Sequence, residues 1–345
     1  MKKLIFYAAI VCSMFVVQTA IAQNPITTLE HAGTTTIFYG QNSLVDAYTA
    51  SVNGDALYLS TGYFTAPTSI AKGIKIIGAG HFPDSANVAK RTMILSGITI
   101  NKGADSLRLE GLYINGNINY QGDASINYVK VIRCGLASAL FNSNSATASK
   151  NFCSYDECFI QGGINFNNYG TNLFIQHSII TSVRVYIGNW FELSVSNVNS
   201  SALILGNIFL ANTHFTFGNI KGSLIKNNII LNNGGSSYGF IGGETNSNIF
   251  TNNLFVRSTI DFGTNSYNNN YSNVSQANIF VNQTGNTINY NHDYHLKSPT
   301  TYLGTDGTQV GLYGGTTPFK DKGLPSNPQI LTKTVGNQTD ANGNL

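Results

Sequence analysis

A short apolar repeat constrains this chain more than any other feature. The segments Leu203 to Leu210, Leu224 to Leu231 and Ile249 to Val256 read LILGNIFL, LIKNNIIL and IFTNNLFV. Leu107 to Ile114, Val131 to Ser138, Cys153 to Ile160, Phe174 to Thr181 and Val274 to Val281 align with them. The apolar triplet starts at Leu112, Leu136, Cys158, Ile179, Ile208, Ile229, Leu254 and Ile279, in steps of 24, 22, 21, 29, 21, 25 and 25 residues. A period in the low twenties built on short β-branched runs predicts a solenoid of strands, each unit burying its apolar face against its neighbours.

Two columns of the alignment have direct physical readings. Asn207, Asn228, Asn253 and Asn278 precede the triplet in successive copies. Stacked about 4.8 Å apart, their amides can bond up the column as a ladder. The middle of the triplet holds Tyr113, Ala137, Phe159, Ile180, Phe209, Ile230, Phe255 and Phe280, the expected inner stack. A second strand follows most copies, marked by Ile118 with Tyr120, Ile164 with Phe166, Val185 with Ile187, Phe215 with Phe217, and Ile260 with Phe262. Gly, Asn and Ser fill the corners, where left-handed backbone is needed.

Composition narrows the class further. Of 345 residues 42% are hydrophobic and only 10% charged, with 35 Gly and 44 Asn. That apolar share supports a core and excludes a disordered chain, and the scarcity of Glu and Lys excludes a helical bundle. A net charge of +3 leaves no basic stripe, so nucleic acid is not an expected partner. Lys2 and Lys3, the apolar run from Leu4 to Val17, and Ala20-Ile21-Ala22 form an export signal over 1–22, with Gln23 opening the mature chain. The run is too short for a membrane span, and Cys12 lies too deep in it for a lipidation site. The expected location is secreted, on the outer-membrane surface or in the periplasm. The remaining Cys134, Cys153 and Cys158 allow one disulfide at most and read as small buried hydrophobes.

The ends read as caps on a domain spanning 23–315. Ser43 is the expected N-cap of a helix over about 43–52, with Leu44, Val45, Tyr48 and Val52 at helical spacing and Gly54-Asp55 as its stop. Strands are expected at Ala56 to Leu59 and Ile74 to Ile77. Gly304 to Gly315 reads as an irregular C-terminal coil. Pro318, Pro325 and Pro328 make 316–345 an extended tail.

Between about 42 and 315 the sequence resembles right-handed parallel β-helix proteins of the pectin-lyase-like superfamily, in particular exported Bacteroidetes-type members of undefined activity. The resemblance rests on Asn53-Gly54-Asp55-Ala56-Leu57-Tyr58-Leu59, Gly73-Ile74-Lys75-Ile76-Ile77-Gly78-Ala79-Gly80, the Ile-x-x-Asn-x-Ile repeats and Val310-Gly311-Leu312-Tyr313-Gly314-Gly315. It implies an all-β fold, a single-stranded right-handed parallel β-helix of about ten coils. Asp84-Ser85-Ala86 and Asp105-Ser106-Leu107 resemble an O-glycosylation site of such exported proteins. The superfamily includes lyases, hydrolases, adhesins and non-catalytic carbohydrate binders, so fold alone does not assign activity.

The Asn-Thr-Asp, Asp-Asp and Gly-His-Gly motifs of polygalacturonases do not occur. The clustered carboxylates that would hold calcium in a lyase are missing as a pattern, so calcium is expected only if the chain is a lyase. One weak catalytic group remains. The alignment places Glu110, Cys134, Asp156 and His177 in one column with Arg133 and Glu157 beside it, and Asp156 and His177 about 5 Å apart. Asp156 would be base or ligand and Arg133 a carboxylate anchor; the alternative is mutually balanced turn residues. His292 and His295 read as capping residues, and no metal site is expected. Trp190, the single tryptophan, lies in the longest inter-copy insertion and is a weak candidate for stacking on a sugar. The expected function is non-catalytic binding of polysaccharide or surface glycan. A polysaccharide lyase or glycoside hydrolase, and an adhesive or structural surface module, are the alternatives.

Overall fold

The computed structural model describes residues 24–325 apart from 84–90, 122–124, 142–147, 149, 182, 188, 194, 212–215 and 234–239; over 166–171 and the remainder of 183–200 only the backbone course is described. Successive repeats pair strand on strand in parallel, forming a β-solenoid with three faces. The chain passes from face 1 (Arg108–Glu110) to face 2 (Tyr113–Ile114) and face 3 (Ile118–Tyr120), then climbs to Lys130–Ile132 on face 1. Register is kept from rung to rung: Leu203, Ile204 and Leu205 oppose Leu224, Ile225 and Lys226, which oppose Ile249, Phe250 and Thr251. About seven turns are complete, fewer than the ten or so expected. The reason is that face 3 stacks strands only from Ile98–Ile100 to Ile241–Gly242, while face 1 continues beyond it at both ends.

Two- and three-residue strands have no stability of their own, so the inward column holds them. On face 1 Leu109, Val131, Tyr155, Ile175, Ile204 and Phe250 are all fully buried. On face 2 the inward column is Ile114, Leu136, Ile160, Ile180, Phe209, Ile230 and Phe255. The expected inner stack is therefore correct at Ile180, Phe209, Ile230 and Phe255. Tyr113 and Phe159 face outward, Ala137 sits at the next corner, and Phe280 lies outside the stack.

At the N-terminal end β1 (Ile26–His31) and β2 (Thr34–Tyr39) form an antiparallel hairpin. Its two turn residues, Ala32 and Gly33, both have positive φ, 47° and 80°, as a type I′ turn requires. β1 also pairs antiparallel with β3 (Ala56–Leu59), the first strand of the parallel series on face 1. Helix α1 (Ser43–Ala50) covers this end through Leu44 and Ala47. Asn42, rather than Ser43, occupies the N-cap position. The Ser43 hydroxyl is instead spent on Thr27 Oγ1 at 2.9 Å. The helix stops at Ser51 because Asp55 Oδ2 accepts the Val52 N–H at 2.8 Å.

One predicted second strand is displaced. Val183–Ile187 pairs antiparallel with Asn189–Leu193 in a separate hairpin, and Val195–Ser200 takes the face 3 position. Phe215 lies outside the described residues, as do 1–22, Asp84-Ser85-Ala86 and the tail beyond 325. Among the described residues no helix is long and apolar enough to cross a membrane.

Tyr271 adds a last parallel bridge to Leu254 on face 2, and after Val274 the chain leaves the stack and returns along the outside of that face. Here the irregular C-terminal coil is a strap. Asn252 Nδ2 donates to Leu303 O at 3.0 Å, Thr305 N to Asn227 Oδ1 at 3.0 Å, Gly311 N to Asn227 O at 2.7 Å, and Lys320 N to Glu157 Oε2 at 2.7 Å. Under it lies a second apolar cluster. Ile179, Ile208, Ile229 and Leu254 point outward from face 2 and meet Phe280, Leu296, Val310, Leu312 and Phe319. This explains why face 2 strands read as unbroken apolar runs: both of their sides are buried.

Candidate functional site

The corner between faces 1 and 2 positions every weak catalytic candidate. It has two adjacent columns. The first holds Gly111, Arg133, Glu157, His177, Gly206, Asn227, Asn252 and Asn269, all left-handed, with φ between 44° and 65°. The second points inward and holds Leu112, Cys134, Cys158, Ser178, Asn207, Asn228, Asn253 and Asn270. The left-handed residue turns the chain so that the next N–H points up the axis, where it meets the side-chain oxygen of the following rung. Cys158 N donates to Ser178 Oγ at 3.0 Å, Ser178 N to Asn207 Oδ1 at 2.9 Å, Asn207 N to Asn228 Oδ1 at 2.8 Å, Asn228 N to Asn253 Oδ1 at 3.0 Å, and Asn253 N to Asn270 Oδ1 at 2.9 Å. The last rung is Asn270. Asn278 lies instead in a short 3₁₀ turn outside the stack.

The same geometry corrects the candidate column. Glu110, Ile132, Asp156 and Gln176 are in register on face 1. Cys134 belongs to the inward ladder column. His177 shares the left-handed column with Arg133 and Glu157. The sequence alignment slips by a residue in these copies because an apolar residue or Cys fills the ladder position where later copies carry Asn.

Arg133 is the centre of a buried ion network. Its Nη1 donates to Glu110 Oε1 at 3.0 Å, and its Nη2 and Nε to Glu157 Oε1 at 2.8 and 3.1 Å. Glu110 also accepts from Arg108 Nε at 2.9 Å. The other oxygen of Glu157 receives the strap through Lys320 N. Burial works against the Arg133 charge, but Glu157 and then Glu110 outweigh it and its pKa is raised. A guanidinium engaged by two carboxylates is a structural junction here. It holds turn to turn and turn to strap.

Asp156 and His177 do come together, with Oδ1 and Nδ1 3.9 Å apart. Both atoms are buried and neither has a hydrogen-bond partner among the described residues. Burial raises the Asp156 pKa and, despite the nearby Asp156 charge, lowers that of His177. A neutral imidazole beside a carboxyl group can exchange a proton through one bridging atom. The strap passes over this pair, Gly315 lying against the His177 ring.

The remaining candidates separate. Asn189–Leu193 carries Trp190 opposite Tyr186 in the hairpin, and the Trp190 side chain lies outside the described residues. His295 bonds Asp293 at 2.7 Å and stacks on Tyr313 at 3.6 Å, tying the strap to itself. The three cysteines are free thiols buried in the core. Burial pushes Cys134 and Cys153 up to about 12 and raises Cys158 as well, so they are not poised as nucleophiles.

A surface feature absent from the candidate set lies at the corner entering face 1. Tyr128 and Phe152, one turn apart, stack with ring centroids 5.1 Å apart and planes within 5°. They are 51% and 40% exposed. Both are left-handed, φ 62° and 55°, in a column that elsewhere holds Ser106, Asn172, Ser201, Gly222 and Ser247. A bulky residue in this region costs roughly 1–3 kcal/mol. The signal was available in the sequence: an aromatic residue just before the apolar run, where other copies carry a small or polar one. Phe174, 37% exposed, projects from face 1 one turn beyond Phe152.

No protein-family model, curated protein or solved structure matches this chain, so its relationships rest on the parallel β-solenoid itself.

Proposed function

We propose that the protein is an exported, non-catalytic β-solenoid that binds polysaccharide through the aromatic surface around face 1. The observation that carries this reading is the Tyr128–Phe152 stack, two strained and solvent-facing rings on consecutive turns, with exposed Phe174 on the neighbouring face 1 column of the next turn. Aromatic rings offer apolar area to the C–H face of a sugar ring while their surroundings hydrogen-bond its hydroxyls. A chain with 10% charged residues suits neutral glycans better than polyanions. The non-catalytic half of the reading is supported by Arg133, which is engaged by Glu110 and Glu157. Export is supported by Lys2, Lys3, the run from Leu4 to Val17 and Ala20-Ile21-Ala22.

The test is a panel of neutral and acidic polysaccharides titrated with the wild-type chain and a Tyr128→Ser/Phe152→Ser variant. Binding that resists added salt and falls at least tenfold in the double variant is expected, about 1.4 kcal/mol or more. Equal binding by both proteins, or release of unsaturated sugar products with calcium, would overturn the proposal.

A further inference from the structure

The amide ladder ends at the C-terminal edge of the solenoid, and it ends open. In each inner turn from Ser178 onward, the ladder residue's N–H donates to a carboxamide oxygen one rung further on. The left-handed residue before it donates to the next face 1 carbonyl: Asn227 N to Thr251 O, and Asn252 N to Asn268 O. Asn269 and Asn270 are the last pair. Their N–H groups have no following rung among the described residues, since the chain adds one more face 2 bridge at Tyr271 and no further face 1 strand before it becomes the strap. A pocket of about 340 Å³ lies at this edge, lined by Ile260, Phe262, Tyr267, Asn269, Asn270 and Ser272 among others. Tyr267 is 64% exposed and stacks on Phe262 at 4.4 Å with planes within 11°.

We infer that this pocket binds an acetamido sugar, an N-acetylhexosamine unit of a glycan, with its acetyl carbonyl at the place a next Asn Oδ1 would occupy. The identification is chemical and rests on the polysaccharide-binding reading above. The Asn270 N–H at the ladder end lacks the acceptor its counterparts have, and in every preceding rung from Asn207 that acceptor is a side-chain carboxamide oxygen. An acetamido group presents the same carbonyl. Its methyl group matches the apolar wall of Ile260 and Phe262, and the sugar ring has Tyr267 as a stacking surface. No lining residue is charged, so a uronate carboxylate would enter without a cation to meet it. The volume is at the small end of ligand pockets and fits one ring rather than a chain.

The experiment uses the full chain labelled with ¹⁵N and titrated with N-acetylglucosamine or glucose. Saturable shifts of the Asn269 and Asn270 backbone amides with N-acetylglucosamine are expected, with glucose at least tenfold weaker. Tyr267→Ala should weaken N-acetylglucosamine at least tenfold and leave the polysaccharide binding of the Tyr128–Phe152 surface intact. Equal response to the two sugars, or no response at these amides, would overturn this inference alone. Loss of polysaccharide binding in Tyr128→Ser/Phe152→Ser is the separate test of the platform. A dimer that Tyr267→Ala dissociates would also overturn the inference, by giving the open edge to a second copy of the chain.

Discussion

Asn228 Oδ1 accepts two hydrogen bonds from Asn207, one from the backbone N–H at 2.8 Å and one from Nδ2 at 3.0 Å. Asn228 Nδ2 in turn reaches Asn253 Oδ1 at 3.0 Å and Ile204 O at 2.8 Å. One fully buried side chain thus satisfies a corner where the three-residue strands leave backbone groups unpaired. Replacing it by Ala strands donors and an acceptor at once. Asn228→Ala is expected to destabilise the chain by about 2–4 kcal/mol, since each orphaned buried group costs roughly 1–3 kcal/mol. Urea unfolding reads the change directly. An Ala variant within 0.5 kcal/mol of wild type (roughly the scatter of surface substitutions) would remove the ladder from the explanation of stability.

Arg133→Met leaves Glu110 and Glu157 buried without their shared cation. Breaking a buried pair by deleting one partner costs about 3–5 kcal/mol. Because Glu157 also holds Lys320 N, the strap should loosen along with the corner. Faster proteolysis within 303–325, together with the lower unfolding midpoint, is the expected outcome. Glu157→Gln keeps an acceptor for Lys320 N and should disturb the strap less.

Gly311 separates those two effects. It sits at φ 82°, and a Cβ there would lie 2.5 Å from Ile229 Cδ1. Gly311→Ala therefore meets both a left-handed backbone penalty and the outer face of the solenoid. Hydrogen exchange should rise across 303–319 while the face 1 rungs stay protected. Exchange that rises equally in both regions would mean strap and stack unfold together.

How much of this was legible in the sequence differs from column to column. Asn207, Asn228 and Asn253 are marked by their carboxamides, and the strands they introduce are in register as expected. Leu112, Cys134 and Cys158 occupy the same position without a polar atom suited to the ladder, so those copies slipped by one. Ser266-Tyr267-Asn268-Asn269-Asn270 is a true rung with no apolar triplet behind it, so the repeat pattern falls on Val274 to Val281 instead. Asp156 and His177 were placed near one another correctly. Their covering strap was not visible, because it depends on the outward side of Ile179, Ile208 and Ile229, which an inward-only reading of the triplet leaves unexplained.

Acid should destabilise the protein through its histidines. His81 is fully buried among Phe82, Phe159 and Tyr290, and burial, aided by the Arg91 charge, holds it down to about 3. A depressed histidine leaves the native state with fewer bound protons than the unfolded chain once pH falls below about 6.5. Stability is therefore full above that value and drops on the order of 1.4 kcal/mol per pH unit below it. His177 is lowered by burial and adds in the same direction, while the raised Asp156 opposes it. Urea midpoints between pH 7.5 and 5 should show the slope, and His81→Phe should flatten it. A midpoint independent of pH over that range would contradict the buried neutral imidazole.

Stacking in register is tested most directly by one spin-label distance. Lys130 and Ile249 occupy the same outward column of face 1, connected rung by rung through Ser154, Phe174, Leu203 and Leu224. Five rungs of about 4.8 Å place their Cα atoms about 24 Å apart. The three native core cysteines are at most 1% exposed and will not compete for label. A Lys130→Cys/Ile249→Cys chain should give a single narrow distribution at that spacing, widened only by the label arms. A broad distribution, or one centred far from it, would contradict the solenoid and every site placed on it.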